Sequence, residues 1–77
     1  MDDFPSLKAR RLLAILTREP LNDRVVRQSG SHRTLRSPIR PTIVFAFHDR
    51  RELAPREVRR VLVSHVGLAE SDALRLR

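Results

Sequence analysis

The sequence predicts an α+β domain in α-β-β-β-α order, with a three-stranded antiparallel sheet and two helices packed on one face. Two observations carry this. An amphipathic helical stripe lies near each end of the chain, and three short strand-like segments lie between them, parted by a turn dipeptide and a proline-rich loop. A length of 77 residues suits one thin core, so residues 1–77 are read as a single domain.

The first helix is expected over Leu7 to Arg18. Ser6 can cap it, Ala9, Leu12, Leu13 and Leu16 follow helical spacing, and Pro20 ends it. Arg24 to Gln28 reads as a strand around Val25 and Val26, and Ser29-Gly30 as a two-residue hairpin turn. Ser31 to Ser37 forms the second strand, with Leu35 as its apolar anchor. Pro38 and Pro41 bound a loop, because proline removes ladder donors. The third strand, Thr42 to Phe47, is β-branched and aromatic. Pro55 suits the first turn of the second helix, whose stripe is Val58, Val61, Leu62, His65 and Val66, and Gly67 ends it. Asp72 to Leu76 is left with a short final turn or a frayed end.

Charge points outward from this core. Sixteen Lys and Arg against nine Asp and Glu give a net charge of +7, and all the bases except Lys8 are arginine. Guanidinium forks bind phosphate bidentately, and a field of this sign draws polyanions. The other reading is a solvated surface for an acidic protein. With three Phe, no Tyr and no Trp, base-stacking platforms are not expected. The chain lacks cysteine, so no disulfide or cysteine-containing zinc site is expected, nor any other metal or cofactor. The N-terminus Met1-Asp2-Asp3 does not read as a signal peptide. No apolar run approaches the about 18 residues of a membrane span. A cytoplasmic protein with no membrane partner is the expectation.

Register then selects the exposed face. Leu35, Ile43, Phe45 and Phe47 should face the helices. Avoiding both prolines favours Ser37 opposite Ile43, which sets Leu35 opposite Phe45 and His32 opposite His48. A turn at Ser29-Gly30 sets Gln28 opposite Ser31 and Arg27 opposite His32. Arg27, His32, Thr34, Arg36, Val44, Ala46 and His48 would share the open face, directly opposed pairs lying about 5 Å apart. Two histidines among arginines suit RNA cleavage. RNA supplies its own 2′-OH nucleophile, and histidine serves as acid or base near neutrality while cations hold the phosphate. The alternative is that both histidines only touch phosphate. A Ser31-His32-Asp49 triad is set aside, because so short a chain offers no deep acyl pocket. His65 reads as a packed core histidine. Arg59-Arg60 reads as a solvated helix face, with contact to phosphate or a partner as the alternative, and the same two readings hold for Lys8, Arg10 and Arg11.

The stretch Val25-Val26-Arg27-Gln28-Ser29-Gly30-Ser31-His32 resembles the hallmark of HicA-type toxins. The later stretch from His48 through Leu53 and Pro55 to Gly67-Leu68 resembles that family's second block. The resemblance covers nearly the whole chain. It implies a fold like the double-stranded-RNA-binding domain and the activity of an mRNA-cleaving ribonuclease that blocks translation. It also implies neutralisation by a HicB-like acidic antitoxin. The family's catalytic histidine falls on His32 and its turn glycine on Gly30. Arg27, Ser31, Arg33, Arg36 and His48 are assigned to RNA contact. Departures from the family pattern are Asn22-Asp23 where a large apolar residue is usual, the Pro38–Pro41 loop, Ala46 in place of a proline, and Arg56 in place of a glycine.

Overall fold

The computed structural model describes residues 4–76; the acidic N-terminal tripeptide and Arg77 lie outside them. The element order is β1 (Leu7–Lys8), α1 (Ala9–Thr17), β2 (Arg24–Ser29), β3 (His32–Arg36), β4 (Ile43–Phe45), β5 (Glu52–Leu53), α2 (Pro55–Arg59) and α3 (Glu70–Leu76). A π-helical turn, Arg60–His65, prolongs α2. Strands β2, β3 and β4 form the expected antiparallel meander, and β1 and β5 form a separate two-stranded ribbon. Leu12, Ile15 and Leu16 of α1 and Val58, Val61 and Leu62 of the second helical segment close over Leu35, Ile43 and Phe45 of the sheet.

The ribbon changes how α1 begins. Leu7 pairs with Leu53 and Lys8 with Glu52, so these residues join a ladder instead of the helix, and Ser6 does not cap it. The first-turn donors find loop carbonyls instead. The Ala9 N–H donates to the Arg51 carbonyl at 2.8 Å and the Arg10 N–H to the Asp49 carbonyl at 3.0 Å. Segment 49–53 is thereby fastened to α1, which later decides where His48 stands.

The second helix departs from expectation at its end. Pro55 occupies the first turn, and Glu57 Oε1 accepts from the Ala54 N–H at 2.9 Å, as in half of a capping box. The Val66 N–H then donates to the Val61 carbonyl at 2.9 Å, a π-type bond five residues back. The wider turn keeps Val66 in the core and rotates His65 out to solvent, so His65 is not a core histidine. Gly67, at φ +89°, ends the segment. The tail is a packed helix whose Ala73 is buried and whose Glu70 pairs with Arg59 at 3.0 Å.

A buried ion pair joins the two loops at the far end of the sheet. Arg40 Nη2 lies 2.9 Å from Asp23 Oδ1 and also donates to the Leu21 carbonyl, and the Asp23 side chain has no exposure. Asn22-Asp23, a departure from the family pattern, thus anchors the proline-bounded loop, itself another departure. Ser37 Oγ accepts from the Ile39 N–H at 3.3 Å and tightens the same loop.

The hairpin turn falls one residue later than expected. Ser29 pairs with His32, leaving Gly30-Ser31 as the two-residue loop with Gly30 at φ +60°. The first loop position of a type II′ turn favours glycine, and Ser29 stays in the ladder. A side chain on Gly30 would meet nothing within 4 Å, so its cost is backbone strain alone. Gly30→Val is therefore expected to lower stability by roughly 1–3 kcal/mol. Chemical denaturation checks this; an unchanged midpoint would remove the strain argument.

Candidate nucleic-acid interface

Alternation along the sheet sets the two faces. Leu35 opposes Ile43, Thr34 opposes Val44 and Arg33 opposes Phe45. The register is thus shifted by two residues from the expected one: Leu35 does not face Phe45, and Ser37 lies beyond β3. The physical reason is the loop. Arg40, drawn toward Asp23, and the Ser37 turn consume residues that the sequence reading placed in the ladder. A shift of two preserves side-chain parity, so Leu35, Ile43 and Phe45 still face the helices.

The open face carries Arg27, which opposes Thr34, and His32, which opposes Ser29, so Arg27 and His32 are diagonal neighbours instead of a directly opposed pair. Diagonal positions lie about 7–8 Å apart, within reach of a long side chain. A β-bulge at Val26 then changes the pairing, so that Arg24 opposes Arg36 directly. Like charges in that position repel, and a bound anion relieves the repulsion. Arg36 stands four residues from His32, about 13 Å along the strand, so the two act at separate points of any ligand. Among the described residues, Arg24, Arg27 and Arg36 enter no ion pair; the pairs engage Arg33, Arg40, Arg51, Arg59 and Arg75. Val44 is 62% exposed and Val26 47%, so apolar surface lies between the cations.

His48 lies beyond the paired part of the sheet. Strand β4 ends at Phe45, and His48 begins a turn whose Arg51 N–H donates to the His48 carbonyl at 3.0 Å. It lines a cleft of about 430 Å³ at the hairpin tip with Gly30, Ser31, Arg33, Asp49 and Arg50. The turn is held firmly. Arg33 Nη1 meets Asp49 Oδ1 at 2.8 Å, with the Arg33 side chain only 13% exposed. The Arg51 guanidinium sits 5.1 Å over the Phe47 ring and bonds Glu57 at 2.8 Å.

The assigned residues therefore divide into two groups. His32, Arg27 and Arg36 lie on the open face; Ser31, Arg33 and His48 line the cleft around the tip. Arg24 was missed by sequence reasoning, because only the bulge brings it opposite Arg36. Among the described residues, no three His, Cys, Asp or Glu side chains converge as metal ligands. No helix there is long and apolar enough to cross a membrane.

Fold and face together define a small basic α+β domain whose sheet offers histidine and unpaired arginines to an anionic partner. A family model described as the HicA toxin of bacterial toxin-antitoxin matches residues 9–68, and the chain belongs to that family. Membership gives it the role of toxin in a toxin–antitoxin pair, with a cognate antitoxin as its partner. No curated protein and no solved structure matches the chain.

Proposed function

We propose that this toxin is an endoribonuclease that cuts mRNA and thereby blocks translation. The observation that carries this is His32, exposed on a sheet face whose arginines have no carboxylate partners among the described residues, in a chain of the HicA family. His32 takes the proton of a ribose 2′-OH as that oxygen attacks the phosphorus. The bond from phosphorus to the 5′-oxygen breaks, and the leaving oxygen takes a proton from water. The products end in a 2′,3′-cyclic phosphate and a 5′-hydroxyl. Arg27 holds the phosphate at the reacting centre. Arg24 and Arg36 grip the strand further along, and Ser31, Arg33 and His48 receive it around the hairpin tip. No cofactor is needed, since the nucleophile belongs to the substrate. A HicB-like acidic antitoxin covers the open face in the cytoplasm, its acids meeting the arginines and its apolar groups meeting Val26 and Val44.

A second reading is favoured by the ladder itself: His32 lies within a paired strand, whereas His48 lies in the turn beyond β4. With one histidine in the ladder, the chain would grip structured RNA without cutting it. Mapping RNA ends in cells expressing the toxin separates the two. New ends bearing 2′,3′-cyclic phosphate are expected; ends identical to those of uninduced cells, together with RNA binding in vitro, would establish the binding-only reading. In either case affinity should fall with salt. Arg24→Ala, Arg27→Ala and Arg36→Ala should each reduce the log–log slope by roughly 0.7 to 0.9. Salt-independent binding would remove the phosphate assignment.

A further inference from the structure

We propose that the outer face of α1 is a second phosphate-binding surface, which engages the RNA backbone independently of the open sheet. The inference rests on RNA being this toxin's target. Lys8, Arg10, Arg11 and Arg18 rim a hollow of about 470 Å³, with Ala14 in its lining and Glu52 as the one acid there among the described residues. All four cations are exposed, and none enters an ion pair among the described residues. Lys8 Nζ reaches only the Arg50 carbonyl, at 3.4 Å.

The surface is distinct from the sheet face. Leu12, Ile15 and Leu16 turn inward to the sheet, so the stripe Arg11, Ala14, Arg18 looks away from it. The small Ala14 side chain lies between Arg11 and Arg18, whose backbone positions are about 10 Å apart along the helix axis. The first-turn N–H groups of Ala9 and Arg10 already donate to loop carbonyls, so side chains alone supply the attraction. Four cations against one carboxylate repel one another, and a chain of phosphates relieves that repulsion.

The surroundings favour RNA over a protein partner. Protein interfaces are anchored by buried apolar or aromatic groups. Among the described residues, the exposed large hydrophobic ones are Val25, Val26, Ile39 and Val44, none of which lies on α1. The sheet face combines arginine with exposed valine and suits both RNA and an antitoxin; the α1 face is mainly cationic and, among the described residues, carries no exposed large hydrophobic side chain. RNA can therefore remain held there while the sheet face is covered.

The test measures binding of a labelled RNA hairpin over a salt series, in a His32→Ala background that keeps the RNA intact. Arg11→Gln with Arg18→Gln should lower the log–log slope by roughly 1.4 to 1.8, two phosphate contacts at 0.7 to 0.9 each. Arg11→Lys with Arg18→Lys, which keeps the charge, should restore it. Both changes lie on exposed positions, and a circular dichroism spectrum matching the parent confirms the fold. A parental slope and affinity for the glutamine pair, beside weakened binding by Arg27→Gln with Arg36→Gln, would overturn the α1 surface and leave the proposed function standing. Absence of RNA binding by the His32→Ala parent itself would overturn both.

Discussion

His32→Ala should abolish growth arrest on induction, leave mRNA whole and still yield a folded protein that binds RNA. Removing a general acid or base costs typically 10²–10⁴ in rate. Such a loss is large enough to carry a toxin below the level at which message destruction stops growth. The stability cost should be small. His32 is exposed and, among the described residues, its side chain makes no hydrogen bond, and such substitutions stay within about 0.5 kcal/mol. His48→Ala should reduce cutting less, because His48 lies in the cleft around the hairpin tip and not beside Arg27. The measurements are viable counts, mapping of RNA ends, and thermal melts of both variants. A His32→Ala protein as toxic as the wild type would refute the catalytic assignment. A His48→Ala variant as inactive as His32→Ala would move the reacting centre to the cleft.

Asp23→Ala should be the most damaging single change to the fold. It leaves the Arg40 guanidinium, whose side chain is 14% exposed, without its carboxylate in a nearly dry site. Breaking a buried pair by removing one partner costs about 3–5 kcal/mol. At about 0.05–0.15 kcal/mol per residue, the whole chain has roughly 4–12 kcal/mol of stability. The variant should thus lose a large share of that stability. Among the described residues, Asp23 Oδ2 and Arg40 Nε have no hydrogen-bond partner, so the pair itself is incompletely satisfied. Replacing both residues with apolar ones of similar size, as in Asp23→Leu with Arg40→Met, should therefore recover most of the loss. Far-ultraviolet circular dichroism under urea is the suitable probe, since the chain has no Trp or Tyr. A loss below about 1 kcal/mol for Asp23→Ala would show that water replaces the missing partner.

These two changes fall on opposite sides of what was legible beforehand. His32 is readable from the chain, because a glycine turn after a strand followed by a histidine is a local pattern. The importance of Asp23 is not, since nothing nearby in sequence announces that Arg40, 17 residues on, will fold back to meet it.

Reading the chain alone was enough for the order of the main elements and the inward side of the sheet. Each of these follows from one residue's burial preference repeated at a fixed period. Alternation in β3 and β4 assigns Leu35, Ile43 and Phe45 to the core whatever their partners, because a slip of two residues leaves parity unchanged. Only the tertiary structure decided the partners themselves. Arg40 and Ser37 draw the loop in and move the register by two. The bulge at Val26 brings Arg24 opposite Arg36. The β1–β5 ribbon takes the start of α1 and fastens the turn that holds His48 beyond the end of β4. Each outcome depends on the meeting of two segments distant in sequence, and the free energy of that meeting is written in neither segment alone.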